Sequence, residues 1–161
     1  MKRNLFYMGA VLLLSVSCSS TNSSTKEETN NDRENEVNVS IKDISGQWYL
    51  ENIVFNDSVN VRPSEEVPGS RQYLTFNLDS TYYIMTNCNA MSGAFTLHGD
   101  SITFSDGAMT ELACDNMATE DALRKIIPHI SVIDVENDSV MRLNSSVPSE
   151  YIVLLKAKEI K

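Results

Sequence analysis

The stretch Leu74-Thr75-Phe76-Asn77-Leu78-Asp79-Ser80-Thr81-Tyr82-Tyr83-Ile84-Met85 predicts a β-hairpin. Apolar and polar residues alternate from Leu74 to Leu78, which is the pattern of a strand with one face buried. A second apolar run begins at Tyr82, and Asp79-Ser80 lies between the two. Asp tolerates left-handed backbone and can hydrogen-bond its own chain in a tight turn.

The same grammar recurs downstream. Phe95-Thr96-Leu97, Ile102-Thr103-Phe104, Ile130-Ser131-Val132 and Val140-Met141-Arg142-Leu143 are further short strands. Asp100-Ser101 follows Gly99, and Asp138-Ser139 follows Asn137, so three hairpins in series describe an antiparallel meander. The run Tyr151-Ile152-Val153-Leu154-Leu155 is apolar without alternation, as expected of a strand buried on both faces. Between Phe55 and Arg71, the residues Asp57-Ser58, Pro63, Pro68 and Gly69 predict a long loop. One helix is expected, with Thr119 or Asn116 as N-cap, Glu120 and Asp121 at the positive end of its dipole, and Leu123, Ile126 and Ile127 on one face before Pro128. The fold class that follows is α+β, mainly antiparallel β: a strongly curved sheet or partial barrel with one short helix packed against it.

Upstream of this body the composition changes twice. Lys2 and Arg3 precede an apolar run from Leu5 to Leu14, then Ser15-Val16-Ser17 and Cys18. A spanning helix needs roughly 20 apolar residues, so this shorter run reads as a signal peptide over residues 1–17. Ser15-Val16-Ser17-Cys18 resembles the lipobox of bacterial lipoproteins, which implies lipidation of Cys18; an ordinary secretory signal with an incidental cysteine is the alternative. Residues 18–43 are rich in Ser, Thr, Asn and Glu and lack aromatic residues, so they are expected to form a disordered tether. Residues 44–161 form one domain by length.

The chain carries 13 Lys and Arg against 22 Asp and Glu, a net charge of −9. Loss of Lys2 and Arg3 with the signal peptide reduces the basic count to 11 against 22 acidic residues, a net charge of −11. No basic stripe offers a footprint for nucleic acid, and none offers docking on anionic headgroups. Membrane attachment is expected through lipid alone. With Cys18 set aside, Cys88 and Cys114 are an even pair in an exported chain, which favours a disulfide over two buried thiols.

Specific residues then resemble a known family. Gly46-Gln47-Trp48-Tyr49-Leu50 is similar to the G-x-W-x-L opening of META domains. Cys88-Asn89-Ala90-Met91-Ser92-Gly93 resembles the family's C-N-x-x-S-G segment, and Thr110-Glu111-Leu112-Ala113-Cys114 its T-x-M-A-C segment, with Asn87 and Leu112 where glycine and methionine are usual. The motif residues are therefore Gly46, Trp48, Leu50, Asn89, Ser92, Gly93, Thr110 and Ala113. The resemblance implies a domain of the kind found in heat-inducible HslJ-type lipoproteins, associated with envelope stress and antibiotic tolerance. Trp48 is expected to anchor the core, Asn89 to satisfy backbone groups in a turn, and Gly93 to adopt dihedrals other residues avoid.

Signals for catalysis are sparse. Cys88 or Cys114 with His98 or His129 as base would need a free thiol with lowered pKa, and the order Cys88, His98, Cys114, His129 lacks the close pairs of structural zinc sites. Asp100 and Asp106 lie in no calcium-loop pattern, and no nucleophile elbow or phosphate-binding glycine loop is present. No enzyme activity, metal or cofactor is expected. Asp57-Ser58-Val59, Asp79-Ser80-Thr81, Asp100-Ser101-Ile102 and Asp138-Ser139-Val140 also resemble an acidic-hydroxyl-aliphatic triplet used for periplasmic O-glycosylation, although hairpin chemistry accounts for three of them. The expectation is a non-enzymatic binding module anchored in the cell envelope, in the outer membrane and facing the periplasm or the surface. It would bind an envelope protein or a small hydrophobic ligand in maintenance or stress tolerance, the alternative being a lipocalin-like carrier of a small hydrophobic ligand.

Overall fold

The computed structural model describes residues 38–56 and 58–158. The signal peptide, Cys18, most of the tether and Asp57 lie outside the described residues. The chain opens with a short helix α1 (Ile41–Ile44) and strands β1 (Gly46–Phe55) and β2 (Val59–Val61), followed by a second one-turn helix, α2 (Pro63–Glu66). Strands β3 (Tyr73–Phe76), β4 (Thr81–Met85), β5 (Ala90–His98), β6 (Ser101–Phe104) and β7 (Ala108–Met109) come next. Helix α3 (Ala118–Ile126) and a 3-10 turn at Ile127–His129 lead into β8 (Ile130–Asn137), β9 (Val140–Ser145) and β10 (Tyr151–Lys156).

All pairings are antiparallel, and the sheet closes on itself. Its order is β10-β9-β8-β6-β5-β4-β3-β1, and β10 pairs back with β1 to complete an eight-stranded barrel. Closure removes the exposed edges of a curved sheet, which would otherwise present unpaired backbone. β1 makes this possible by its length: its first half pairs with β3, its second half with β2, and its other edge runs along β10. A register shift between Leu50 and Asn52 changes the alternation, so Leu50 and Ile53 both enter the core.

An eight-stranded barrel has an interior just wide enough for side chains to fill or for one small ligand. Here the inner positions carry Trp48, Phe76, Ile84, Met141 and Leu143, none more than 1% exposed. Phe76 meets Phe95 edge to face at 5.1 Å between ring centres. Burial of a side chain of this size contributes roughly 1.5–3 kcal/mol. Packing begins at Val39, ahead of α1, where Ser40 and Asp43 cap one another through the Asp43 carboxylate. At the Gly46 end of β1, the Trp48 indole donates to the Ile44 carbonyl at 2.7 Å, and the Lys156 ammonium lies 4.2 Å from its ring centre.

Four expectations change. The region from Phe55 to Arg71 contains β2 and α2, because Pro63 at the first helical position is preset for a helix start and Val61 pairs with Ile53. β10 alternates, with Ile152 and Leu154 fully buried and Tyr151, Val153 and Leu155 half-buried, because the outer wall of a barrel is not covered by a second layer. The helix cap is Met117 instead of Thr119 or Asn116, and Thr119 is buried in the first turn. Finally, the hairpin at Asp79-Ser80 places its left-handed residue at Ser80 (φ 63°), while the Asp79 carboxylate accepts from the Thr81 N–H at 3.1 Å. The Asp-Ser hairpins at 79–80, 100–101 and 138–139 all lie toward the Gly46 end, and α3 packs beside the far ends of β1 and β2.

Candidate functional site

At the α3 end the core turns polar. Gln72, Thr86, Asn89, Thr119 and Glu120 are all buried, and each has partners, as buried polar groups require. Asn89, in the turn between β4 and β5, uses both ends of its amide. Its Nδ2 donates to the Leu112 carbonyl at 2.9 Å and the Glu120 carboxylate at 2.7 Å. Its Oδ1 accepts from the Thr110 hydroxyl and the Leu112 N–H, both at 2.8 Å. Thr110 Oγ1 also accepts from the Ala90 N–H at 3.0 Å. One side chain thus holds the loop from Thr110 to Asn116, every residue of which is exposed.

The Cys88–Cys114 disulfide fastens the same loop a second time. A cross-link across a separation of 26 residues stabilises by about 3.5 kcal/mol on the chain-entropy model. Both sulfurs are thereby bonded to each other, and His98 and His129 are exposed on other parts of the chain. Among the described residues no three metal-ligating side chains converge.

Glu120 is the most enclosed charge among the described residues. Its side chain is 0% exposed, and its other oxygen accepts from Arg124 Nη2 at 3.0 Å and Nε at 3.3 Å. A buried carboxylate is tolerated when it is paired and hydrogen-bonded in this way. Nearby, Glu66 of α2 receives the Thr119 N–H at 3.2 Å and the Gln72 amide at 3.0 Å. The acceptor that Met117 lacks as the N-cap of α3 is therefore a carboxylate contributed from 53 residues upstream. Burial pushes the Glu66 carboxyl up, but the hydrogen bonds from Thr119 and Gln72 outweigh it and hold the pKa below the ordinary 4.5.

A pH dependence follows from that sign. A lowered folded-state pKa gives a stabilisation that is complete above the unfolded value and is lost as pH falls through the folded one. Glu66→Gln is expected to be less stable than the parent above pH 4.5 and to approach it below. Thermal unfolding of both proteins across about pH 3 to 6 checks this; parallel curves would reject it.

The remaining motif residues are mostly steric. Gly46 has φ 108°, which disfavours any side chain. Gly93 differs from expectation: its backbone is not left-handed, and glycine is needed because a Cβ there would lie 2.8 Å from the Tyr82 ring on the paired strand. Ser92 is half-buried beside it, and Ala113 is exposed. Trp48 and Leu50 lie in the core. Gly107, which the sequence did not single out, sits where a Cβ would fall 1.9 Å from the Ser92 carbonyl oxygen.

This close approach shapes a cleft of about 530 Å³ between α3 with its 3-10 turn and the β5–β7 wall. Met91, Phe104, Met109, Leu123 and Ile127 supply its apolar surface, and Tyr82, Asp106 and Arg124 its polar groups. Burial first, and then the Asp106 charge, raise the pKa of Tyr82 above 10.0. A second, smaller apolar groove lies between α3 and the β1–β2 hairpin, with Val59 58% exposed at its edge. The sequence placed Tyr82 and Phe104 in strands, Leu123 and Ile127 on a helix face and Met91 within a motif, and it found Asp106 in no calcium-loop pattern. Arg124 and Gly107 carried no local signal, because their role depends on chain segments brought together by closure.

The fold and these motifs define a small domain class. The META domain family model matches residues 40–158, and the chain belongs to this family. Among solved structures it resembles an NMR structure of a protein from Burkholderia xenovorans, at 17% identity and a TM-score of 0.60, covering 74% of this chain and 87% of that one. It also resembles the crystal structure of a DUF4847 family protein from Bacteroides vulgatus, at 12% identity and a TM-score of 0.54, covering 73% and 96%. These likenesses concern the fold. No curated protein matches the chain.

Proposed function

We propose that this chain is a non-enzymatic binding module of the bacterial cell envelope, tethered by lipid on Cys18 in the outer membrane and facing the periplasm or the surface. It takes an envelope protein or a small hydrophobic ligand at the cleft between α3 and the β5–β7 wall, in a maintenance or stress-tolerance role. The observation that carries this reading is the contrast between a lumen filled with side chains such as Trp48, Phe76 and Met141 and an open, partly apolar cleft. Family membership supports a binding role, and the pairing of both thiols in a disulfide supports a role without cysteine chemistry.

The test has two arms. Intact mass of protein recovered from envelopes should show an N-terminal Cys18 carrying acyl chains, and Cys18→Ser should release an exported, soluble domain. Cross-linking in intact cells should then capture a reproducible envelope partner with the wild-type chain, whereas co-purified lipid would favour a lipocalin-like carrier. A soluble cytoplasmic polypeptide beginning at Met1 and carrying no fatty acid would reject the proposal.

A further inference from the structure

We propose that the cleft between α3 and the β5–β7 wall binds a small amphiphile with an apolar body and a cationic amine head. The inference deepens the binding-module reading and rests on it. Its volume of about 530 Å³ lies within the range of small-molecule sites.

The walls are suited to an apolar body of variable shape. Met91 and Met109 face each other as register partners on β5 and β7, and unbranched thioether chains adapt to irregular guests. Phe104 forms a firm side to the cleft, held edge to face against Tyr82 at 5.0 Å.

The polar groups select the head. Arg124 lines the cleft, but its charge is matched by the buried Glu120 carboxylate through two hydrogen bonds. Asp106 is exposed and forms no ion pair among the described residues. The cleft therefore carries one uncompensated negative charge, and its influence reaches the Tyr82 hydroxyl. A chain of net charge −9 adds a field of the same sign. An ammonium head is attracted to this position, and a sulfate or carboxylate head is repelled.

Binding can be read from methionine methyl resonances of the chain beginning at Ser19, which retains the whole core from Val39 to Leu154. The probes are dodecyltrimethylammonium and dodecyl sulfate, each kept below its critical micelle concentration. The cationic probe should shift Met91 and Met109 while leaving Met141, fully buried in the lumen, unmoved. Asp106→Asn should weaken it by about 1.5-fold to fivefold, the range of an exposed ion pair, and Asp106→Lys should weaken it further. Asp106 is exposed, so both variants are expected to keep the parental melting temperature. Equal binding of the two probes, shifts confined to other methionines, or an unchanged affinity in Asp106→Asn would overturn the proposal. Absence of binding by either probe would also overturn it, while surface capture of an envelope partner is judged separately by cross-linking.

Discussion

Asn89→Ala is expected to lower the unfolding free energy by about 3 to 5 kcal/mol, read as a shift in denaturant midpoint with little change in slope. The substitution removes four hydrogen bonds made at 2.7 to 2.9 Å. Two of them hold the Leu112 backbone, and one reaches the carboxylate of Glu120, whose side chain is 0% exposed. Truncation leaves that carboxylate short of a donor where water does not reach, which is why the expected loss exceeds that of an ordinary hydrogen bond. The disulfide still retains Cys114, so the loop should loosen while the barrel remains closed. A loss below about 1 kcal/mol would show that Asn89 only decorates the turn.

Gly107→Ala is expected to destabilise by about 2 to 4 kcal/mol. A Cβ at this position would fall 1.9 Å from Ser92 O, 2.7 Å from Ser92 C and 3.1 Å from Gly93 Cα. These are backbone atoms of a paired strand, so relief requires β7 to move away from β5 and give up the pairing of Ser92 with Ala108 and of Met91 with Met109. The cleft floor moves with it, and the variant should lose affinity for the cationic probe together with stability. Gly99→Ala is the control: its φ of 62° strains a side chain, but nothing lies within 4 Å, and about 1 kcal/mol is expected. Equal effects at the two glycines, measured by chemical denaturation, would refute the steric account.

Much of the barrel was legible along the chain because strands and turns are local. The alternation of Leu74, Phe76, Tyr82 and Ile84 gives the inner face of β3 and β4, and these residues are at most 5% exposed. The turn residues between them gave the connections. β10 misled because its outward residues are as apolar as its inward ones: Val153 and Leu155 stand half-exposed on an outer wall that no other layer covers. The cap of α3 misled for a different reason. Thr119 has the chemistry of an N-cap, yet Glu66 supplies the acceptor from a distant helix, and no window around residue 119 contains that information.

For the candidate site the division is sharper. The motif cysteines, Asn89 and Thr110 could be named from spacing and resemblance, and the structure joins them in one fastening at the α3 end. Glu120 was legible only as a charge favouring a helix dipole; its burial follows from Asn89 and Arg124 closing over it. What the sequence determined by itself was the periodic and compositional content: antiparallel strands, tight Asp-Ser hairpins, one amphipathic helix, a paired set of cysteines and an acidic balance. Tertiary structure alone decided that β10 returns to β1, that Gly107 touches Ser92, and that Asp106, Tyr82 and Met109 share one cleft. The physical reason is that periodicity reports which face of an element avoids water, whereas closure and close approach depend on the sum of twists, lengths and contacts between segments far apart in the chain.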